Sequence, residues 1–146
     1  MFIPFRAHLA PTSRDCRDAR VRRHEVCALR GMNTTLSRPL PHHSLVVFRR
    51  AQELLKLVVA ARIRDAKLRD EALRAAKGTC LNIAEGAARS SKGDKARAYG
   101  IARAEAAEAA AAMEIAEMIG AASTAHAEEA HRLASEVFAM LTALMH

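Results

Sequence analysis

Four stretches of this chain repeat apolar residues at alternating spacings of three and four, which keeps them on one face of an α-helix. Val47, Ala51, Leu54, Val58 and Ala61 form the first row, and Leu73, Ala76, Cys80, Ile83 and Ala87 the second. Ala102, Ala106, Ala109, Met113 and Ala116 form the third, and Ala130, Leu133, Val137, Met140 and Leu144 the fourth. No segment alternates with the period of two that a half-buried strand needs. Aromatic residues are only 3% of the chain, with one Tyr and no Trp, so Ala, Leu, Ile, Val and Met must fill the core. Strands draw on the β-branched and aromatic side chains that are scarce here, whereas small side chains favour close helix packing. The fold class is therefore all-α: an antiparallel up-and-down four-helix bundle over residues 44–146, with a disordered N-terminal leader over residues 1–43.

Local signals place the helix ends. The first helix is expected from Ser44, a capping residue, to about Arg62, with Phe48, Leu55 and Val59 widening its apolar face. The second is expected to start near Asp65, whose carboxylate suits a helix N-terminus. Gly78 and Gly86 lie inside it at a cost of about 1 kcal/mol each relative to Ala, which points to another group approaching closely at both. Ser90 to Asp94 reads as a break, with Gly93 in a left-handed turn and Asp94 capping a third helix from about Lys95 to Ile119. Twelve Ala between Ala98 and Ala122 give that helix a thin, smooth face. Gly120 ends it, and Ser123 or Thr124 caps the fourth.

Residues 1–43 hold all four prolines and no sustained period, the pattern of a segment that cannot bury enough apolar surface to fold. Met32 follows Gly31 just before the ordered pattern, so residues 1–31 are expected to be upstream translation and Met32 the natural start. Cys16, Cys27 and Cys80 make no even framework, which reads as reduced thiols in a cytoplasmic protein. Cys16, His24 and Cys27, even with His42 and His43, match no standard zinc spacing. No apolar run reaches the roughly 18 to 20 residues that a membrane span requires, and no membrane contact is expected.

The formal charge of +7 is unevenly laid out. Residues 49–103 carry fourteen Lys or Arg against six acids, for +8, whereas residues 104–146 carry only Arg132 against seven Glu, for −6. Such a division bears on partners and assembly rather than on fold. Basic residues populate the polar sides of the first two helices. The expected nucleic-acid contacts are Arg49, Arg50, Lys56, Arg62 and Arg64, joined by Arg89, Lys92, Lys95 and Arg97 around the turn between the second and third helices. Lys67, Arg69, Arg74, Lys77 and Arg103 belong to the same basic stretch. Binding of this kind acts on phosphates and weakens steeply with salt. Too few aromatics are present for a base-stacking platform, so backbone or shape recognition is the expected mode.

Catalytic patterns are missing. There is no Walker-type phosphate loop, no Gly-x-Ser-x-Gly elbow and no His-Glu-x-x-His pair. A di-iron bundle needs inward Glu-x-x-His pairs on facing helices, and Glu128 with His131 is a lone half-motif on an expected solvated surface. No enzyme activity, cofactor or metal is expected.

Cys80-Leu81-Asn82-Ile83-Ala84-Glu85-Gly86, then Arg89-Ser90-Ser91-Lys92, then Ala98-Tyr99-Gly100-Ile101-Ala102-Arg103, resembles the four-helix-bundle family of 23S ribosomal RNA intervening-sequence proteins. That superfamily also includes the accessory variability proteins of diversity-generating retroelements. The resemblance covers about residues 45–146 and departs where members often carry Gly-Ser, since Ala104 and Glu105 stand there. It implies a homopentamer with a basic surface or channel. In one branch it implies a link to ribosomal RNA, and in the other a reverse transcriptase and nucleic acid as partners. Asn82, Glu85 and Gly86 are its signature positions, and their simpler role is structural, as polar groups satisfied at a helix contact beside a glycine that permits close approach. The expected function is thus a non-enzymatic, oligomeric protein that contacts RNA or DNA through basic helix faces. The alternative is a protein-interaction scaffold or accessory subunit, for example of a retroelement reverse transcriptase.

Overall fold

The computed structural model describes residues 39–146. The expectations for Met32, for Cys16, His24 and Cys27, and for the leader up to residue 38 lie outside the described residues. A single 3-10 turn, Pro41–Ser44, leads into four α-helices: α1 (Val46–Ala60), α2 (Ala66–Ala88), α3 (Lys92–Met118) and α4 (Thr124–Leu144). Each helix packs on the next, and α4 returns to α1, while the broadest interface lies between α2 and α3. Short connections between long antiparallel helices give the expected up-and-down bundle. Among the described residues there is no strand, and no helix is long and apolar enough to cross a membrane.

Helix ends follow local chemistry, with two departures from the sequence reading. Ser44 does not cap α1, because its Oγ donates to the Pro41 carbonyl at 2.9 Å and tightens the 3-10 turn. Leu45 is the boundary residue of α1 instead and supplies no side-chain cap. Asp65 caps α2 as expected, accepting from the Leu68 amide at 2.8 Å. At the next junction Ser91, not Asp94, is the cap, and Gly93 and Asp94 sit in the first turn of α3. Gly93 therefore needs no left-handed backbone, and Asp94 places a negative charge at the positive helix end. Gly120 adopts a φ of 71° after α3, and the Ser123 side chain accepts from the His126 amide to open α4.

The rows predicted for α1 and α3 are buried throughout. In α2 the buried row is rotated by one residue: Ala72, Ala75, Ala76, Thr79, Ile83 and Gly86 face inward, and Leu73, Cys80 and Ala87 are half-buried. Thr79 can lie in the core because its Oγ1 donates to the Ala75 carbonyl at 3.0 Å, one turn back. In α4 Leu141 is fully buried while Leu144 is exposed. Ile63, in the α1–α2 connection, is 1% exposed and plugs the core beside Val58 and Met113. It can do so because Arg62 takes a left-handed φ of 46° and turns the chain back.

Both interior glycines of α2 meet α3 side chains. A Cβ on Gly86 would lie 2.5 Å from Cε1 of Tyr99, and that ring is itself 5% exposed in the core between Ile83, Val47 and Val137. A Cβ on Gly78 would meet the Glu105 carboxylate at 2.9 Å. The carboxylate end can shift, but the enclosed ring cannot. Overpacking of this kind costs about 1 to 3 kcal/mol, which exceeds the roughly 1 kcal/mol that Gly→Ala gains in an open helix. Gly86→Ala is therefore expected to lower the midpoint of thermal or urea unfolding, and adding Tyr99→Leu to recover part of the loss. Gly93→Ala, whose Cβ would meet only Ser91 Oγ at an ordinary 3.8 Å, should leave the midpoint unchanged or raise it.

Candidate nucleic-acid interface

The nine cations expected to contact nucleic acid fall into three groups. Arg49, Arg50 and Lys56 lie on α1; Arg62 and Arg64 sit in the α1–α2 connection; Arg89, Lys92, Lys95 and Arg97 surround the α2–α3 turn. The last two groups cap opposite ends of α2, whose 23 residues separate them by about 33 Å at 1.5 Å per residue. They do not make one patch.

Three of the nine are already engaged within the chain. Arg50 donates to Glu53 at 2.7 Å and pairs with Glu136 of α4 at 3.1 Å, and the Glu53 hydrogen bond holds its guanidinium above the ordinary arginine range. The guanidinium of Arg64 donates to the Gly120 carbonyl, and its backbone amide donates to Ala121 at 3.0 Å. Arg89 pairs with Glu85 one turn earlier. Arg49, Lys56, Arg62, Lys92, Lys95 and Arg97 make no ion pair among the described residues. Lys92 and Lys95 stand in and just beyond the first turn of α3, where the helix dipole adds to their positive charge. The single Asp94 carboxylate in the same turn offsets only part of this positive charge, and an incoming anion would offset more.

The remaining basic stretch is mostly structural. Arg74 reaches Glu71 at 2.7 Å, Glu105 at 3.4 Å and Glu108 at 2.5 Å, tying α2 to α3. Its hydrogen bond in turn draws the Glu71 carboxyl below the ordinary range. Arg103 donates to Thr142 Oγ1 at 3.2 Å and stacks 4.9 Å from the Phe138 ring centre, which ties α3 to α4. Sequence periodicity gave no sign of these crossings, since which polar side chains meet depends on how the helices are rotated. His131 pairs with Glu114 of α3 at 2.8 Å and not with Glu128. No group of three or more His, Cys, Asp or Glu side chains among the described residues could hold a metal ion.

The signature positions are occupied locally. Asn82 Nδ2 donates to the Gly78 carbonyl at 2.9 Å, Glu85 holds Arg89, and Gly86 faces Tyr99. Cys80, two residues before Asn82, is half-buried, and burial pushes its thiol up to about 11 from an ordinary 9.0. Each unit is tenfold in ionisation, so at pH 8 its reactive thiolate is about a hundredfold scarcer than in the unfolded chain. Peptide mapping after iodoacetamide treatment should find Cys80 alkylated far more slowly in native than in urea-unfolded protein. Equal rates would show that the α2 surface opens readily.

No curated protein matches the chain closely. A family model does match it, over residues 43–143, and that span takes in all four helices and both ends of the bundle. The family is described by its connection to an interruption of 23S ribosomal RNA and not by a reaction. On that match the chain belongs to the 23S rRNA-intervening sequence protein family.

Proposed function

We propose that this protein is a non-enzymatic, self-associating RNA-binding protein that grips structured RNA by its phosphates. The observation that carries this reading is that Lys92, Lys95 and Arg97, unpaired among the described residues, all stand in the first two turns at the positive end of a 27-residue helix. The family's tie to ribosomal RNA supports RNA as the polyanion, and DNA is the natural comparison. Arg49 and Lys56, both exposed on α1, supply further phosphate contacts. Binding to a structured RNA at 50 mM salt should be readily measured and should weaken steeply as salt rises. Replacing Lys92, Lys95 and Arg97 together by Glu should lower affinity at least tenfold and reduce the log–log salt slope by about 2 to 3, roughly one per phosphate contact. Absence of binding at low salt overturns the reading.

A row of exposed side chains on α3 favours self-association and docking of a protein partner as the second role. Ile101, Ala104, Ala111, Ile115 and Met118 lie at spacings of three, seven, four and three on the outer side of the helix, and Met118 is 79% exposed. A homopentamer is the assembly the family resemblance implies, and a retroelement reverse transcriptase the partner implied by the accessory-protein branch. Ile115→Glu with Met118→Glu should reduce the light-scattering mass from that of an oligomer to that of a single chain. A wild-type mass of one chain would remove this role and leave RNA binding standing.

A further inference from the structure

We infer that the end of the bundle opposite the α2–α3 turn carries a phosphate-binding pocket built from Arg62, Arg64, Ser123 and His126. It deepens the RNA reading by adding a separate phosphate contact, and rests on that reading only for the source of the phosphate. Where the α1–α2 and α3–α4 connections meet, they line an open, solvent-facing hollow of about 400 Å³ whose walls are these four residues with Ala61, Ala121 and Ala122. Two of its polar residues are arginines, and no acid lines it. Close cations without a counter-charge are unfavourable, and a tetrahedral oxyanion relieves them while matching the planar fork of an arginine.

The pocket is held in shape before any ligand arrives. Arg64 bridges the two connections through its guanidinium to Gly120 and its amide to Ala121, leaving other N–H groups of the fork to donate elsewhere. The left-handed backbone of Arg62, unusual for a residue other than Gly, puts its side chain at the rim, exposed and without an ion pair among the described residues. His126 is half-buried, and its Nδ1 lies 2.7 Å from Ser123 Oγ. That contact fixes the ring and leaves Nε2 as its second polar atom. Arg64 and His126 are thus oriented in advance by their contacts, which is what a ligand site requires of its polar groups.

The test uses the full chain and two probes. Inorganic phosphate, titrated at constant ionic strength against chloride, should produce saturable NMR shifts at the Arg62 Nε–H and the His126 ring, and Arg62→Gln with His126→Gln should weaken that response at least tenfold. Arg64 is left intact because it also ties the connections together, and unchanged circular dichroism confirms the fold. With structured RNA the same double variant should lose about 3- to 10-fold in affinity and about one unit of salt slope, which identifies an RNA phosphodiester as the source. A phosphate response with no change in RNA binding supports the pocket as a site for free phosphate instead. Absence of saturable shifts in the wild type, or shifts that persist in the double variant, overturns the pocket even if RNA still binds at Lys92, Lys95 and Arg97. Failure of any RNA binding beside an intact phosphate response overturns the RNA reading alone.

Discussion

The seating of α2 on α3 is the contact on which the rest of the bundle depends. Small residues, Ala72, Ala75, Ala76, Thr79 and Gly86 on one side and Ala102, Ala106 and Ala109 on the other, let the two backbones approach closely. Such a seam gains little from any one side chain and much from its length, since each contact between non-bonded atoms is small and their number is large. It also demands that each position stay small. Tyr99 is the one large ring admitted, and it fits because Gly86 has no Cβ where the ring lies. Once that register is set, Arg74 falls opposite Glu105 and Glu108, and the α2–α3 turn is held with its cations facing outward.

The rows of α1 and α3 could be read from spacing because every member is apolar and each row coincides with the buried face of its helix. The row of α2 could not, because its true inward face includes Thr79 and Gly86, which hydropathy treats as neutral or polar. Leu73 and Cys80 beside them look more apolar and draw the predicted seam round by one residue. What decides the matter is tertiary: a threonine that satisfies its hydroxyl on its own helix, and a glycine facing a ring, are better seated in a narrow interface than a leucine would be. Helix ends misread for a related reason. Ser44 and Asp94 have capping chemistry, but so do other residues nearby, and Ser44 finds the Pro41 carbonyl while Ser91 takes the role expected of Asp94. Ile63 was invisible because nothing in the pattern of a connection marks a core residue. The left-handed turn at Arg62 that delivers it is taken by a residue type that rarely adopts it.

Charge was legible by amount and sign, and illegible by pairing. The basic first half and acidic second half of the bundle sequence suggested attraction between subunits. In space part of that attraction is consumed inside one chain, by Arg50 with Glu136 and by Arg74 with Glu105 and Glu108. Those pairs join helices from opposite halves of the sequence, so antiparallel packing is where the segregation is cancelled. The residue types at the signature, an amide, a carboxylate and a glycine, suggested a structural role but not which groups they would meet. Their partners, Gly78, Arg89 and Tyr99, reveal how they serve the helices.

The distribution of what is left over bears on how a polyanion would approach. Exposed ion pairs contribute little to stability individually, yet each removes a net charge from the flank on which it sits. The α2–α3 and α1–α4 flanks are neutralised in this way, while Arg62 at one end, and Lys92, Lys95 and Arg97 at the other, make no ion pair among the described residues and keep their charge. Field strength falls within about 8 to 10 Å at physiological salt, so ends about 33 Å apart act as separate sites and not as one. A polyanion binding a single chain therefore meets an end, or the outer side of α1 at Arg49 and Lys56, and touching both ends requires a ligand that runs the length of the bundle. Assembly changes this arithmetic: parallel chains would gather like ends into a ring of cations at each mouth, which turns a few weak phosphate contacts per chain into many held at fixed spacing.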